Sequence, residues 1–112
     1  MTEIVAEISG NHGGVLYNAV RLIVAAADAK ADAAKFQCFD PVRLAKRRAD
    51  NPEVTALAGG VPLIELYRQT HTPQAWFPEL IRVAQSCGLQ WFSSVFDPED
   101  VAFLETLGCP RY

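Results

Sequence analysis

Three short apolar runs in this chain, Ile4–Ile8, Ala33–Gln37 and Leu89–Ser94, read as β-strands. The first two end on charged or amide side chains where a purely structural strand would stay apolar. Side chains alternate across a strand, so Val5 and Glu7 share one face and Ile4, Ala6 and Ile8 the other. In the second run Lys35 and Gln37 lie on one face with Ala33, opposite Ala34 and Phe36. Between the strands the period changes. Leu16, Ala19, Val20, Ile23 and Ala27 form a helical stripe that ends near Asp28 to Ala31. Thr72-Pro73 has the N-cap and first-turn chemistry of a second helix, with Trp76, Phe77, Leu80, Ile81 and Ala84 as its buried face and Gly88 as its stop. Pro78 either kinks that helix or marks its true first turn. Asp97-Pro98-Glu99-Asp100 caps a third, whose apolar face is Phe103, Leu104 and Leu107 and whose end is Gly108.

The segment from Cys38 to Thr72 is too long for a structureless connection inside a compact domain, which predicts a helix within it over Pro62–Gln69. It also carries Lys46-Arg47-Arg48, read as one solvated helix face, and the breaker Gly59-Gly60. The resulting order, β-α-β-insert-α-β-α, implies a parallel sheet with right-handed crossovers. The fold class is therefore α/β. An acid, a base and an amide at the C-terminal ends of neighbouring strands are what the mouth of a parallel α/β barrel supplies for chemistry. A closed eight-unit barrel takes roughly 250 residues. The 112 residues here correspond to its first three βα units, a partial barrel expected to be an N-terminal fragment or truncated product. Its open apolar edge predicts poor solubility in isolation.

Half the residues are hydrophobic, which sets the chain among folded domains, and a net charge of −3 gives no long-range attraction for nucleic acid or anionic membranes. The N-terminus lacks the basic and apolar regions of a secretory signal, and the best apolar run, Leu22 to Ala27, is too short to span a bilayer. Cys38, Cys87 and Cys109 are odd in number, widely spaced and set beside apolar residues. They read as small buried hydrophobes in a reducing, cytoplasmic setting.

Candidate chemistry gathers on the Glu7–Lys35 face. Glu7 is a general base, a stabiliser of developing charge or the salt-bridge partner of Lys35. Lys35, inside a barrel, needs an anion, either Glu7 or a ligand phosphate or carboxylate. Gln37, one step nearer the mouth, offers a donor and an acceptor to a polyol, and Ser94 a hydroxyl. Asn11-His12-Gly13-Gly14 follows the first strand. Asn11 offers a polar tip to a ligand, whereas His12 reads as a loop histidine that holds the turn. With His71 the one other histidine and distant in sequence, the residues read as offering no metal site.

The ordered set Ala6-Glu7-Ile8, Asn11-His12-Gly13-Gly14, Ala31 to Gln37, Phe92 to Asp97, Phe103-Leu104-Glu105 and Leu107 to Pro110 resembles the sialic acid synthases, which make N-acetylneuraminic, pseudaminic and legionaminic acids. Leu66-Tyr67 through Thr72-Pro73 and Trp76 leans toward the pseudaminic and legionaminic branch. The resemblance implies a TIM-barrel transferase that condenses phosphoenolpyruvate with an open-chain N-acetylated amino sugar, giving a nine-carbon 2-keto acid and phosphate. It implies a homodimer in the full-length family and a divalent cation, Mn2+ or Mg2+, whose ligands are not in this chain. By motif, Lys35 would bind the phosphoenolpyruvate anion, Ser94 stands where the family has a threonine, Gln37 would touch the sugar, and Glu7 would sit beside the reacting carbons. The C-terminal half of the barrel and the antifreeze-like domain are absent from residues 1–112. A segment with at most half an active site is expected to be inactive alone. Three residues depart from the family pattern. Lys30 replaces a glycine and Ala34 a valine, both read as packing changes, and Val95 replaces a proline beside the phosphate contact. Two other readings are a non-catalytic truncated chain and a TIM-barrel lyase or aldolase in which Lys35 forms a Schiff base.

Overall fold

The computed structural model describes residues 2–48, 51 and 61–112. Its core is a three-stranded parallel sheet in the order β1-β2-β3, with β1 at Val5–Glu7, β2 at Ala33–Cys38 and β3 at Gln90–Val95. Between β1 and β2 runs α1, Leu16–Asp28. Between β2 and β3 lie α2, Pro41–Arg48, α3, Leu63–Thr70, a 3-10 turn at Gln74–Trp76, and α4, Phe77–Ser86. After β3 comes α5, Pro98–Thr106. The sequence predicts the insert's helix over Pro62–Gln69, one residue from its observed place. The run Lys46-Arg47-Arg48, read as a helix face, closes α2, whose start at Pro41 the sequence reading did not place. Gly59-Gly60 lies outside the described residues.

One face of the sheet is the core. Ala34, Phe36 and Cys38 of β2 and Trp91 of β3 bury themselves against Ala19, Ile23 and Ala26 of α1, Phe77, Leu80, Val83 and Ala84 of α4, and Leu104 of α5. Removing this much apolar surface from water is the main driving force for the fold. Phe77 packs edge-on between Phe36 and Phe103, with centroid separations of 5.9 and 5.7 Å. The other face, which carries Glu7, Lys35, Gln37, Phe92 and Ser94, has none of the described helices on it. This asymmetry follows from the crossovers, which put every connecting helix on one side of a parallel sheet.

Local chemistry explains the element ends. Pro78 sits in the first turn of α4, where a missing N–H is harmless, so it starts the helix and does not kink it. Thr72 does not cap that helix. Its hydroxyl is buried and turned toward His12. Asp97 caps α5 by accepting from the N–H groups of Glu99 at 2.8 Å and Asp100 at 3.2 Å, and Asp100 accepts from the Asp97 N–H, closing a capping box. Asp32 ties β1 to β2 before their ladder begins. Its carboxylate accepts from the Ile4 N–H at 2.7 Å, and its own N–H donates to the Ile4 carbonyl at 2.8 Å.

Helices α1, α4 and α5 all end the same way. In each, the residue two beyond the last helical one has left-handed backbone and donates to a carbonyl three residues back, and the next residue donates five residues back. Gly88 (φ 76°) and Gly108 (φ 72°) occupy that position after α4 and α5, but after α1 it is Lys30, at φ 66°. The departure read from the sequence as a packing change is therefore a backbone matter. An exposed side chain is held where its Cβ crowds the following carbonyl. Lys30→Gly is expected to raise stability by about 0.5–1 kcal/mol, the relief of left-handed strain less the added freedom of the unfolded chain. A shift of the urea midpoint at constant m-value would show it.

Candidate functional site

Parallel pairing sets the residues of the open face in rows. Glu7 pairs in register with Lys35, and Lys35 with Phe92. One step nearer the C-terminal rim, Gln37 pairs with Ser94. Each pair is one strand spacing apart, about 4.8 Å, so four polar groups of the sequence reading share one patch at two levels. Lys35 Nζ lies 3.0 Å from Glu7 Oε2, with side-chain exposures of 30% and 45%. An ion pair this open adds only about 0.2–1 kcal/mol, so stability is a weak reason for its presence. Among the described residues, Gln37 and Ser94 side chains make no hydrogen bond within the chain, which leaves both able to meet a ligand.

The loop after β1 is built more tightly than its glycines suggest. Gly10 lies against α3, where an added Cβ would meet Thr70 Cβ at 2.7 Å and the Thr70 carbonyl at 2.8 Å. Asn11 turns its amide nitrogen back to the Glu7 carbonyl at 3.3 Å and also borders a hollow of about 320 Å3 along α1 with Asn18 and Arg21. Ser9, which the sequence reading passed over, donates its hydroxyl to Glu7 Oε1 at 2.5 Å. His12 is buried, as a residue that holds a turn should be. Its Nδ1 accepts from the Gly14 N–H at 2.9 Å, which leaves the proton on Nε2, 3.2 Å from Thr72 Oγ1, and Trp76 meets its ring edge-on.

At the other side of the rim, α2 is tied to the turn between β3 and α5. Arg43 reaches Asp97 at 3.0 Å and also pairs with Glu99, while Asp100 Oδ1 lies 3.8 Å away. Arg47 donates to the Phe96 carbonyl at 2.7 Å. The basic run is thus more than a solvated face: Arg47 grips the turn that follows Ser94, while Lys46 and Arg48 stay exposed. Phe39 stacks edge-on against Phe96 and Tyr67, at 5.4 and 5.7 Å, and closes the gap between them. The acidic cluster Asp97-Glu99-Asp100 could have pointed to Arg43, since carboxylates gathered in one turn favour a nearby cation. Burial pushes the Asp100 carboxyl up from its ordinary value.

Of the three cysteines read as buried, only Cys38 is; Cys87 and Cys109 are half-buried. Burial, reinforced by Asp100 and Asp97, pushes the Cys38 thiol up to about 12, far from a reactive thiolate. Among the described residues no group of three or more His, Cys, Asp or Glu side chains could hold a metal, and no helix is long and apolar enough to cross a membrane.

Three parallel strands alternating with helices packed on one face are the arrangement of a segment of a βα-barrel. The NeuB family profile matches residues 22–112, and the chain belongs to that family. It is 40% identical over 106 residues to a pseudaminic acid synthase of Campylobacter jejuni, covering 91% of this chain and 30% of that protein. It is 31% identical over 116 residues to an N,N'-diacetyllegionaminic acid synthase of Legionella pneumophila, covering 96% and 31%. The crystal structure of an N-acetylneuraminic acid synthetase from Leptospira borgpetersenii, in complex with citrate, superposes with a TM-score of 0.76 at 29% identity, over 96% of this chain and 34% of that one. The chain spans about a third of the length of these proteins.

Burial, and secondarily the charge of His71, holds the His12 imidazole below its ordinary value of 6.5. The folded chain therefore resists protonation that the unfolded chain accepts. The contribution of His12 to stability is complete above pH 6.5 and is lost as pH falls through its folded value. Urea denaturation between pH 7.5 and 5 is expected to show this loss, with a slope of up to about 1.4 kcal/mol per pH unit. In His12→Gln that part of the slope should vanish.

Proposed function

We propose that the chain is the N-terminal segment, the first three βα units, of a nonulosonate synthase that condenses phosphoenolpyruvate with an N-acetylated amino sugar to form a nine-carbon 2-keto acid. One observation supports this reading above the others: in a NeuB-family chain, the Lys35–Glu7 pair at 3.0 Å stands on the open face with Gln37 and Ser94 in register one step above it. Lys35 supplies the cation that holds the phosphoenolpyruvate anion, and the Ser94 hydroxyl adds a hydrogen bond to it. Gln37 meets hydroxyl groups of the sugar, and Asn11 is a further contact from the loop after β1. Glu7 sits beside the carbons that join.

In the reaction, carbon 3 of phosphoenolpyruvate forms a bond to the sugar aldehyde carbon, water adds at carbon 2, and the tetrahedral intermediate expels phosphate to leave the keto group. Lys35 contributes by orienting the enol phosphate, and Glu7 by balancing positive charge that develops next to it. The divalent cation expected of the family, Mn2+ or Mg2+, finds no ligand set among the described residues. The rest of the site, the homodimer and the cytoplasmic setting belong to the same reading of the whole protein.

The test is a graft. Residues 1–112 replace the matching segment of the Campylobacter jejuni pseudaminic acid synthase, and phosphate release from phosphoenolpyruvate is followed with and without the amino sugar. The expected outcome is sugar-dependent turnover, lowered about 100-fold or more by Lys35→Ala with the circular dichroism spectrum unchanged. A folded graft without turnover, or one indifferent to Lys35→Ala, would overturn the reading.

A further inference from the structure

Apart from glycines, two described residues hold left-handed backbone, Lys30 at φ 66° and Ser9 at φ 46°. They differ in what their side chains do. Lys30 is exposed at a helix end, where glycine would serve equally well. Ser9 closes β1, and its Oγ donates to Glu7 Oε1 at 2.5 Å while Lys35 holds Glu7 Oε2 at 3.0 Å. The backbone on either side is tied down as well: the Ile8 N–H donates to the Lys35 carbonyl at 2.9 Å and the Asn11 N–H to the Ile8 carbonyl at 3.0 Å. Gly10 is pressed against Thr70. The hydroxyl thus starts from a fixed point, and the left-handed turn directs it back onto the carboxylate two residues earlier. Strained backbone that persists beside a candidate reactive group points to a role for that geometry.

We propose that Ser9 is a positioning residue for Glu7: its hydroxyl holds one carboxylate oxygen so that the other stays on Lys35, and the left-handed backbone at Ser9 serves that bond. The proposal rests on the synthase reading for its catalytic consequence but not for its structural one. Without the hydroxyl, the half-exposed Glu7 side chain can leave Lys35 for solvent, since among the described residues nothing else holds Oε1. Binding of the anion by Lys35 is unaffected, so the loss falls on kcat and not on KM for phosphoenolpyruvate.

The test compares Ser9→Ala, which keeps the strained position without the hydroxyl, with Ser9→Gly, which removes both. In the 112-residue chain, the exchange of the Lys35 ammonium protons, read by 15N NMR, is expected to quicken at least about 3-fold in both variants. The thermal midpoint of Ser9→Gly should be no lower than that of the parent. In the graft, both variants should lose about 10-fold in kcat at unchanged KM. Parent-like Lys35 exchange in both variants would overturn the proposal, as would parent-like kcat in an active graft. An inactive parent graft counts against the synthase reading alone, and the exchange measurement then still decides the role of Ser9.

Discussion

Parallel pairing of β2 with both neighbours is the constraint on which this chain depends. It places Ala33 beside Val5 and Gln90, and that register sets Glu7, Lys35 and Phe92 in one row and Gln37 with Ser94 in the next. A slip of one residue in β2 would turn Lys35 and Gln37 into the helix-facing core and bring Phe36 out. The cost of burying those polar groups, set against the apolar area that Phe36 and Ala34 hide, makes such a slip prohibitive. Core packing and site geometry are thus two results of one alignment.

The periphery then tunes the rim. On the β1 side, the loop Ser9 to Gly14 is fastened from within, by His12 on Gly14 and Thr72 and by Asn11 on the Glu7 carbonyl. On the β3 side, Arg43 and Arg47 of α2 hold the turn after Ser94. Both fastenings use described residues between β2 and β3, from α2 and from the turn after α3. At the opposite, N-terminal end of the strands, Arg111 pairs with Glu3 and lies 4.3 Å above the Phe92 ring, so the end of the chain folds back under the open face.

Family membership and the geometry of the open face bear on different questions. The family follows from similarity along most of the chain. The geometry says which groups meet: an acid and a base in contact, an amide and a hydroxyl above them. These residues match about a third of the length of the related synthases, and what they bring together on the open face is binding and charge, not a complete site.

Much of this was legible in the order of residues. Strand and helix periods differ, so the three strands, the stripe of α1, the faces of α4 and α5 and the shared side of Glu7, Lys35 and Gln37 could be read one residue at a time. Helix stops could be read where glycine marked them, at Gly88 and Gly108. Contacts between segments distant in sequence could not. Lys30 hid a left-handed helix end because lysine carries no signal for one, and Thr72 looked like a cap because its partner, His12, lies sixty residues away. Arg43 drew no reading until the fold set it against Asp97 and Glu99, and Ser9 was silent because its backbone angle, not its identity, aims it at Glu7. Local patterning determined which residues face which way; only the packed chain decided which of them touch, because hydrogen bonds and ion pairs depend on distances that tertiary structure alone sets.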